Sequence, residues 1–173
     1  MVAKRKIIVL ITALLLVIGS MRSASAQQPA FKAAFLYHFT EYIVWEKAQM
    51  ETFDFAVLED SPITSQIAII AKGKKVKNKR ITVKQYSSLE DISSCHILFV
   101  PATCSVPIET IIEKFSGKPV LIVTEQEGAE KKGAHINFLI SENKLKFEIN
   151  QKAAENNGIE ISSQLLQHAT VVD

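Results

Sequence analysis

The run KPVLIVTE, residues 118–125, constrains this chain most. Between its proline and its glutamate the apolar residues do not alternate with polar ones, so as a strand it must be covered on both faces. That is the position of a central strand in a largely parallel sheet. The flanking segments agree. CHILFV (95–100) reads as a buried strand, TFDFAVLE (52–59) as the first strand and RITVKQY (80–86) as a β-branched one. Helical segments stand between them. SPITSQIAIIAKG (61–73) has Ser61 as N-cap, Pro62 at the first helical position and Gly73 at its end, and VPIETIIEKFSG (106–117) carries Ile108, Ile111, Ile112 and Phe115 in helical period. AHINFLIS and KLKFEIN flank ENK and read as a hairpin. The expected fold is α/β: a three-layer domain with a mostly parallel central sheet, an antiparallel C-terminal hairpin and helices on both faces.

The two ends of the domain are helical by pattern. FKAAFLYHFTEYIVWEK (31–47) spaces Phe31, Phe35, Phe39 and Ile43 four apart, which predicts one amphipathic helix with an aromatic stripe. Such a stripe is core more often than surface, and Tyr37 and Trp45 are the members expected at its margin. Near the other end, Asn150 is placed to cap a helix starting at Gln151, with Gly158 closing it. Ser162 or Ser163 then caps a last helix that turns Leu165, Leu166, Ala169 and Val172 to the sheet. On this reading FEINQKAAENNGIEISSQLLQHA (147–169) is how the fold closes.

The first 26 residues read as a cleaved signal peptide. Lys4, Arg5 and Lys6 precede an apolar run of twelve residues, Ile7 to Ile18, and Ala24-Ser25-Ala26 is a small-x-small cleavage site. The run is shorter than the roughly 20 residues a membrane span needs. Residues 27–173 are then expected to form one domain in the periplasm. The leader holds four of the 20 basic residues and none of the 18 acidic ones, which leaves 16 against 18, a net charge of −2. The basic pI therefore belongs to the leader and gives no reason to expect nucleic acid. Two cysteines allow one disulfide at most. Cys95 opens a strand that carries the chain about 16 Å away, and Cys104 follows too soon for an easy return, so the bond is disfavoured.

Few residues suggest chemistry. His38, His96, His135 and His168 have no metal-ligand spacing. Ser162-Ser163 lacks a base and a nucleophile turn. Glu148 and Asn150 share a strand face and could hold a substrate, or tie a sheet edge to the next helix. KGKKVKNKR (72–80) places six cations in nine residues. It reads either as an anion site or as a solvated helix end and loop, with an acidic protein surface as a credible partner. Lys74, Lys75, Lys77 and Arg80 are the partner-binding candidates there, with Tyr37 and Trp45 on the first helix. Asn137, Glu148, Asn150, Ser162 and Ser163 are the structural polar candidates. No cofactor, metal or catalytic residue is expected.

In order, KAAFLYHFTEYIVWE, CHILFV, PVLIVTE, GAHINFLISENKLKFEIN and GIEISSQLLQHA resemble the YfiR-like family of periplasmic regulatory proteins, from Phe31 to about Ala169. The resemblance implies a non-catalytic domain, often dimeric, that represses an inner-membrane diguanylate cyclase, or serves a sensor kinase, by protein contact. It also implies an outer-membrane, peptidoglycan-associated lipoprotein that relieves repression by sequestering the repressor. The cysteine set is sparser than in disulfide-stabilised relatives. The alternative is a periplasmic small-ligand sensor with a pocket beside Glu148, Asn137 and Arg80.

Overall fold

A computed structural model of the protein describes residues 28–45 and 50–172. The expected leader, 1–26, lies outside the described residues. Helix α1 covers 28–42 and runs directly into β1 (Ile43–Trp45). β2 (Phe53–Leu58), α2 (Ile63–Ala71), the short β3 (Lys75–Val76) and β4 (Lys79–Tyr86) follow. A 3-10 turn at Leu89–Asp91 leads to β5 (Ile97–Val100), α3 (Ile108–Lys114), β6 (Leu121–Thr124) and a second 3-10 turn, Glu130–Lys132. β7 (Ile136–Ser141) and β8 (Lys144–Asn150) form the hairpin. Then come α4 (Gln151–Asn156), β9 (Ile159–Ile161), α5 (Ser163–Leu166) and β10 (Thr170–Val172).

Eight strands make one sheet in the order β10-β8-β7-β6-β5-β2-β4-β3, and β1 pairs with β9 in a separate ribbon. Neighbours are parallel except in the hairpins β7–β8 and β3–β4. Side chains of the central strands alternate between two filled faces. Phe55, Val57, Ile97, Phe99, Leu121 and Val123 pack against Leu36 and Phe39 of α1 and Ile63 and Ile67 of α2. Ala56, Leu58, Leu98, Val100 and Ile122 meet Ile108, Ile111 and Phe115 on the other face. Each such large side chain contributes about 1.5–3 kcal/mol by leaving water. The three-layer α/β fold expected from the sequence is present.

Four local readings change. The first helix ends at 42, because Ile43 and Trp45 are buried while Val44 is exposed, a period of two. These three residues pair with β9, Ile43 opposite Ile161 and Trp45 opposite Ile159. Trp45 is accordingly no surface margin: it is buried, its Nε1–H donates to the His96 carbonyl at 3.0 Å, and its ring meets Phe53 edge-on. Phe31 leaves the buried stripe and stands exposed, while Ala33, Leu36, Phe39 and Thr40 fill the buried face of α1. At the far end, NNGIEI contains β9, and the last helix is only four residues long. Thr170–Val172 pairs in parallel with β8, so Val172 extends the sheet rather than a helix. Gly158 takes φ +69 between α4 and β9, a left-handed turn that a side chain would strain.

The basic run changes as well. It forms the β3–β4 hairpin, turned by Lys77 and Asn78 at φ 46 and 67. Glu142 and Asn143, at φ 53 and 58, turn the β7–β8 hairpin in the same way. Positive φ at both central residues is the type I′ geometry that matches strand twist. Both cysteines are free, Cys95 buried and Cys104 half-buried. Burial pushes the Cys95 thiol far above its ordinary range.

His96 and His135 share one device. Each stands just before a strand and donates its backbone N–H to a neighbouring strand, to Asp54 O and to Ile122 O. Each then accepts the same residue's N–H on its ring Nδ1, at 3.1 and 3.0 Å. The imidazole does the work of a strand carbonyl and must stay neutral at Nδ1. Both pKa values are lowered to about 4, by burial first and, at His96, by Lys79 against the opposing pull of Asp54. In the unfolded chain these groups titrate near 6.5. As pH falls from 6.5 to 4 the unfolded state takes up their protons first, so their contribution, complete above 6.5, is lost across that window. The melting temperature should fall steeply there, and H96N/H135N, which keeps an acceptor at each site, should flatten the slope by up to about two protons. An unaltered slope in the double variant would refute the device.

Candidate functional site

β6 carries the last fully buried apolar strand side chains on the α3 face of the sheet. On β7 and β8 that face turns polar, with Asn137, Glu148 and Asn150, and the second 3-10 turn lies over it in place of a helix. Asn137 and Glu148 are opposed in the antiparallel register, so their side chains stand next to each other. Glu130, from the turn, is 2% exposed and accepts from Asn137 Nδ2 at 2.9 Å. Asn150 Nδ2 donates to the Glu130 carbonyl at 2.9 Å, while its Oδ1 accepts the Ala153 N–H at 2.8 Å and caps α4. Asn150 thus fixes the turn to the sheet and the helix to the strand. The Glu148 carboxyl is pushed above its usual range, first by burial and then by the Glu130 charge, with Lys131 pulling the other way.

A cleft of about 650 Å³ opens beside this cluster, and Lys32, Glu125, Glu130, Lys131, Asn137 and Glu148 are among its lining. Lys32 of α1 and Glu125 form an ion pair at 2.9 Å across it. A smaller cleft of about 190 Å³, sharing Lys32 and Glu125, lies by the C-terminal ends of β2 and β5. The strand order changes direction there, which is where open α/β sheets bind ligands.

Asn137, Glu148 and Asn150 therefore come together, and Glu130, which the sequence did not single out, joins them. Arg80 does not: it sits on β4, at the opposite end of the sheet. Of the serine pair, Ser162 caps α5, its Oγ accepting the Leu165 N–H at 3.3 Å, and Ser163 is exposed. Lys74, Lys75, Lys77 and Arg80 are exposed around the β3–β4 hairpin, and Lys74 Nζ lies 4.3 Å from the centre of the half-buried Tyr37 ring. Tyr37 and this hairpin form one surface, and Trp45 lies beneath it. Among the described residues no group of three His, Cys, Asp or Glu side chains could hold a metal ion, and no helix is long and apolar enough to cross a membrane.

Residues 29–170 match the family model described as YfiR/HmsC-like. The chain belongs to the YfiR/HmsC-like family. No curated protein matches it. The YfiR/HmsC-like family is associated with periplasmic regulation of cyclic-di-GMP signalling, and its members regulate rather than catalyse. In this YfiR/HmsC-like chain the polar cluster sits inside the matched region, between the second 3-10 turn and the start of α4.

Two outcomes follow from the cluster. N150A removes a helix cap and a buried bond to Glu130 and should cost about 2 kcal/mol in denaturant unfolding. S163A, at an exposed site without a cap, should stay within about 0.5 kcal/mol. Equal losses for the two variants would be inconsistent with this account of how α4 and α5 begin. For Glu148 the sign is opposite to that of a paired carboxylate. Its folded pKa is raised, so the favourable contribution exists below the unfolded value near 4.5 and disappears as pH rises through the folded one. E148Q should raise the melting temperature at pH 7, and the gain should vanish near pH 4.

Proposed function

We propose that this YfiR/HmsC-like chain represses an inner-membrane signalling enzyme, a diguanylate cyclase or a sensor kinase, by holding its periplasmic domain in an inactive state. The supporting observation is a cationic edge without counter-charge. None of the six cations at 72–80 lies within 4.0 Å of an acidic side chain among the described residues. Lysines on an edge strand oppose the addition of another strand. Docking at this edge is therefore by charge, against an acidic surface, with the Tyr37 ring and Lys74 beside it. Such contacts raise the association rate and select the partner.

Repression needs preference rather than tight binding alone. A binder that favours the inactive state about 100-fold shifts the equilibrium by roughly 2.7 kcal/mol. An outer-membrane, peptidoglycan-associated lipoprotein relieves repression on this reading by competing for the chain, and a homodimer would present two such edges.

The triple variant K75E/K77E/R80E should abolish repression and raise cellular cyclic-di-GMP to the level of a strain lacking the protein. Its melting temperature should stay within a few degrees of wild type. Photo-crosslinking residues at Lys75 and Lys77 should capture the membrane enzyme. Full repression by the folded triple variant would rule out this surface.

A further inference from the structure

The polar cluster under the second 3-10 turn has a chemical deficit of one kind. Glu130, almost fully buried, receives a single side-chain donor, from Asn137. Glu148 stands beside both of them on the neighbouring strand. Asn137 is 3% exposed, and its Oδ1 has no hydrogen-bond partner; it is the one such buried side-chain atom among the described residues. The amide cannot be turned over to cure this, because its Nδ2 is engaged by the Glu130 carboxylate at 2.9 Å. The two carboxylates share one side-chain amide and the nearby charge of Lys131, and the carbonyl oxygen has no donor at all. A buried acceptor without a partner loses its hydration and recovers nothing in return.

We infer that Glu130, Asn137 and Glu148 form a binding site for a protonated primary amine entering from the adjoining cleft. An ammonium group brings three N–H donors and one positive charge, which matches three acceptors of this kind. A divalent cation is the weaker fit, since hard cations take six or more oxygen ligands and only two carboxylates converge here. The cleft, about 650 Å³, has room for the rest of a small molecule, and Leu139 and Leu145 give part of its wall apolar character. Lys131, on the same turn, opposes a cation and limits affinity. The site is independent of the cationic β3–β4 edge and goes beyond the repressor reading. It faces the opposite end of the sheet.

Putrescine is the probe, added to the purified protein while the side-chain amide signals of Asn137 are followed by nitrogen-edited NMR. The expected result is a saturable shift of those signals, with E148Q weakening binding at least tenfold and K131A strengthening it. Both substitutions are at residues outside the core, and a melting curve for each confirms that it folds. Butane-1,4-diol, which has the same length without the charge, should give no saturable shift. The inference is overturned if putrescine gives none, if the diol matches it, or if E148Q binds as well as wild type. It is also overturned if calcium chloride shifts the same signals at lower concentration than putrescine, which would make the site a divalent-cation site. Loss of repression in K75E/K77E/R80E bears on none of these outcomes, so the two readings fail separately.

Discussion

Leu121–Thr124 is buried on both sides, and the rest of the architecture answers to that. A strand with no polar face forces the chain to supply a helix layer above and below it, and β5 and β2 repeat the demand. α1 and α2 cover one side and α3 the other. Where the double cover stops, so does the apolar pattern. β7 and β8 keep Ile136, Phe138, Phe147 and Ile149 on the α1 side but place Asn137, Glu148 and Asn150 on the other, where the 3-10 turn presents the Glu130 carboxylate and carbonyl in place of a helix's apolar stripe. The polar cluster is thus a product of how far α3 reaches. It marks the boundary of the three-layer region.

What could be read from the sequence follows the range of the interactions involved. The central strands, α2, α3 and the β7–β8 hairpin show in local periodicity and turn residues, and the structure has them. Asn150 as a cap was also legible, since a cap acts within three residues of itself. The strand character of Ile43–Trp45 was not, because three residues at the end of an apolar helical stripe continue its period. Only their pairing with Ile159–Ile161 makes them a strand. Glu130 was hidden for the same reason. EGAEKKGAH has no apolar periodicity, and Glu130 is buried only because the turn folds back over two strands that come later in the chain. Arg80 shares only complementary charge with Glu148, and the strand order separates it from Glu148 and Asn137.

The two surfaces with excess charge lie at opposite ends of the sheet and have opposite sign. The β3–β4 edge offers cations on a hairpin, free in solvent and costly to no one. The β7–β8 cluster offers acceptors held in place by the fold, at a cost in stability that the like-charged pair Glu130 and Glu148 makes visible. Exposed charge suits a partner that arrives by diffusion and leaves again, while buried and under-satisfied acceptors suit a small molecule that completes them. A regulator with both could report a chemical condition at one end and act on a protein at the other, through the shared sheet.

The β1–β9 ribbon has a consequence for the order of events in folding. Helix α1 is held at its C-terminal end by three residues that have no strand partner until Ile159–Ile161 is available, more than a hundred positions later. Every strand of the central sheet from β2 to β8 can be in place before that contact closes. The C-terminal end of the first helix is thus among the last parts secured, while the aromatic face it carries, Phe35 and Phe39, already has Phe138 and Phe147 on β7 and β8 to pack against. Long-range closures of this sort are slow. Until the closure is complete, β1 at the end of α1 lacks its cover from β9.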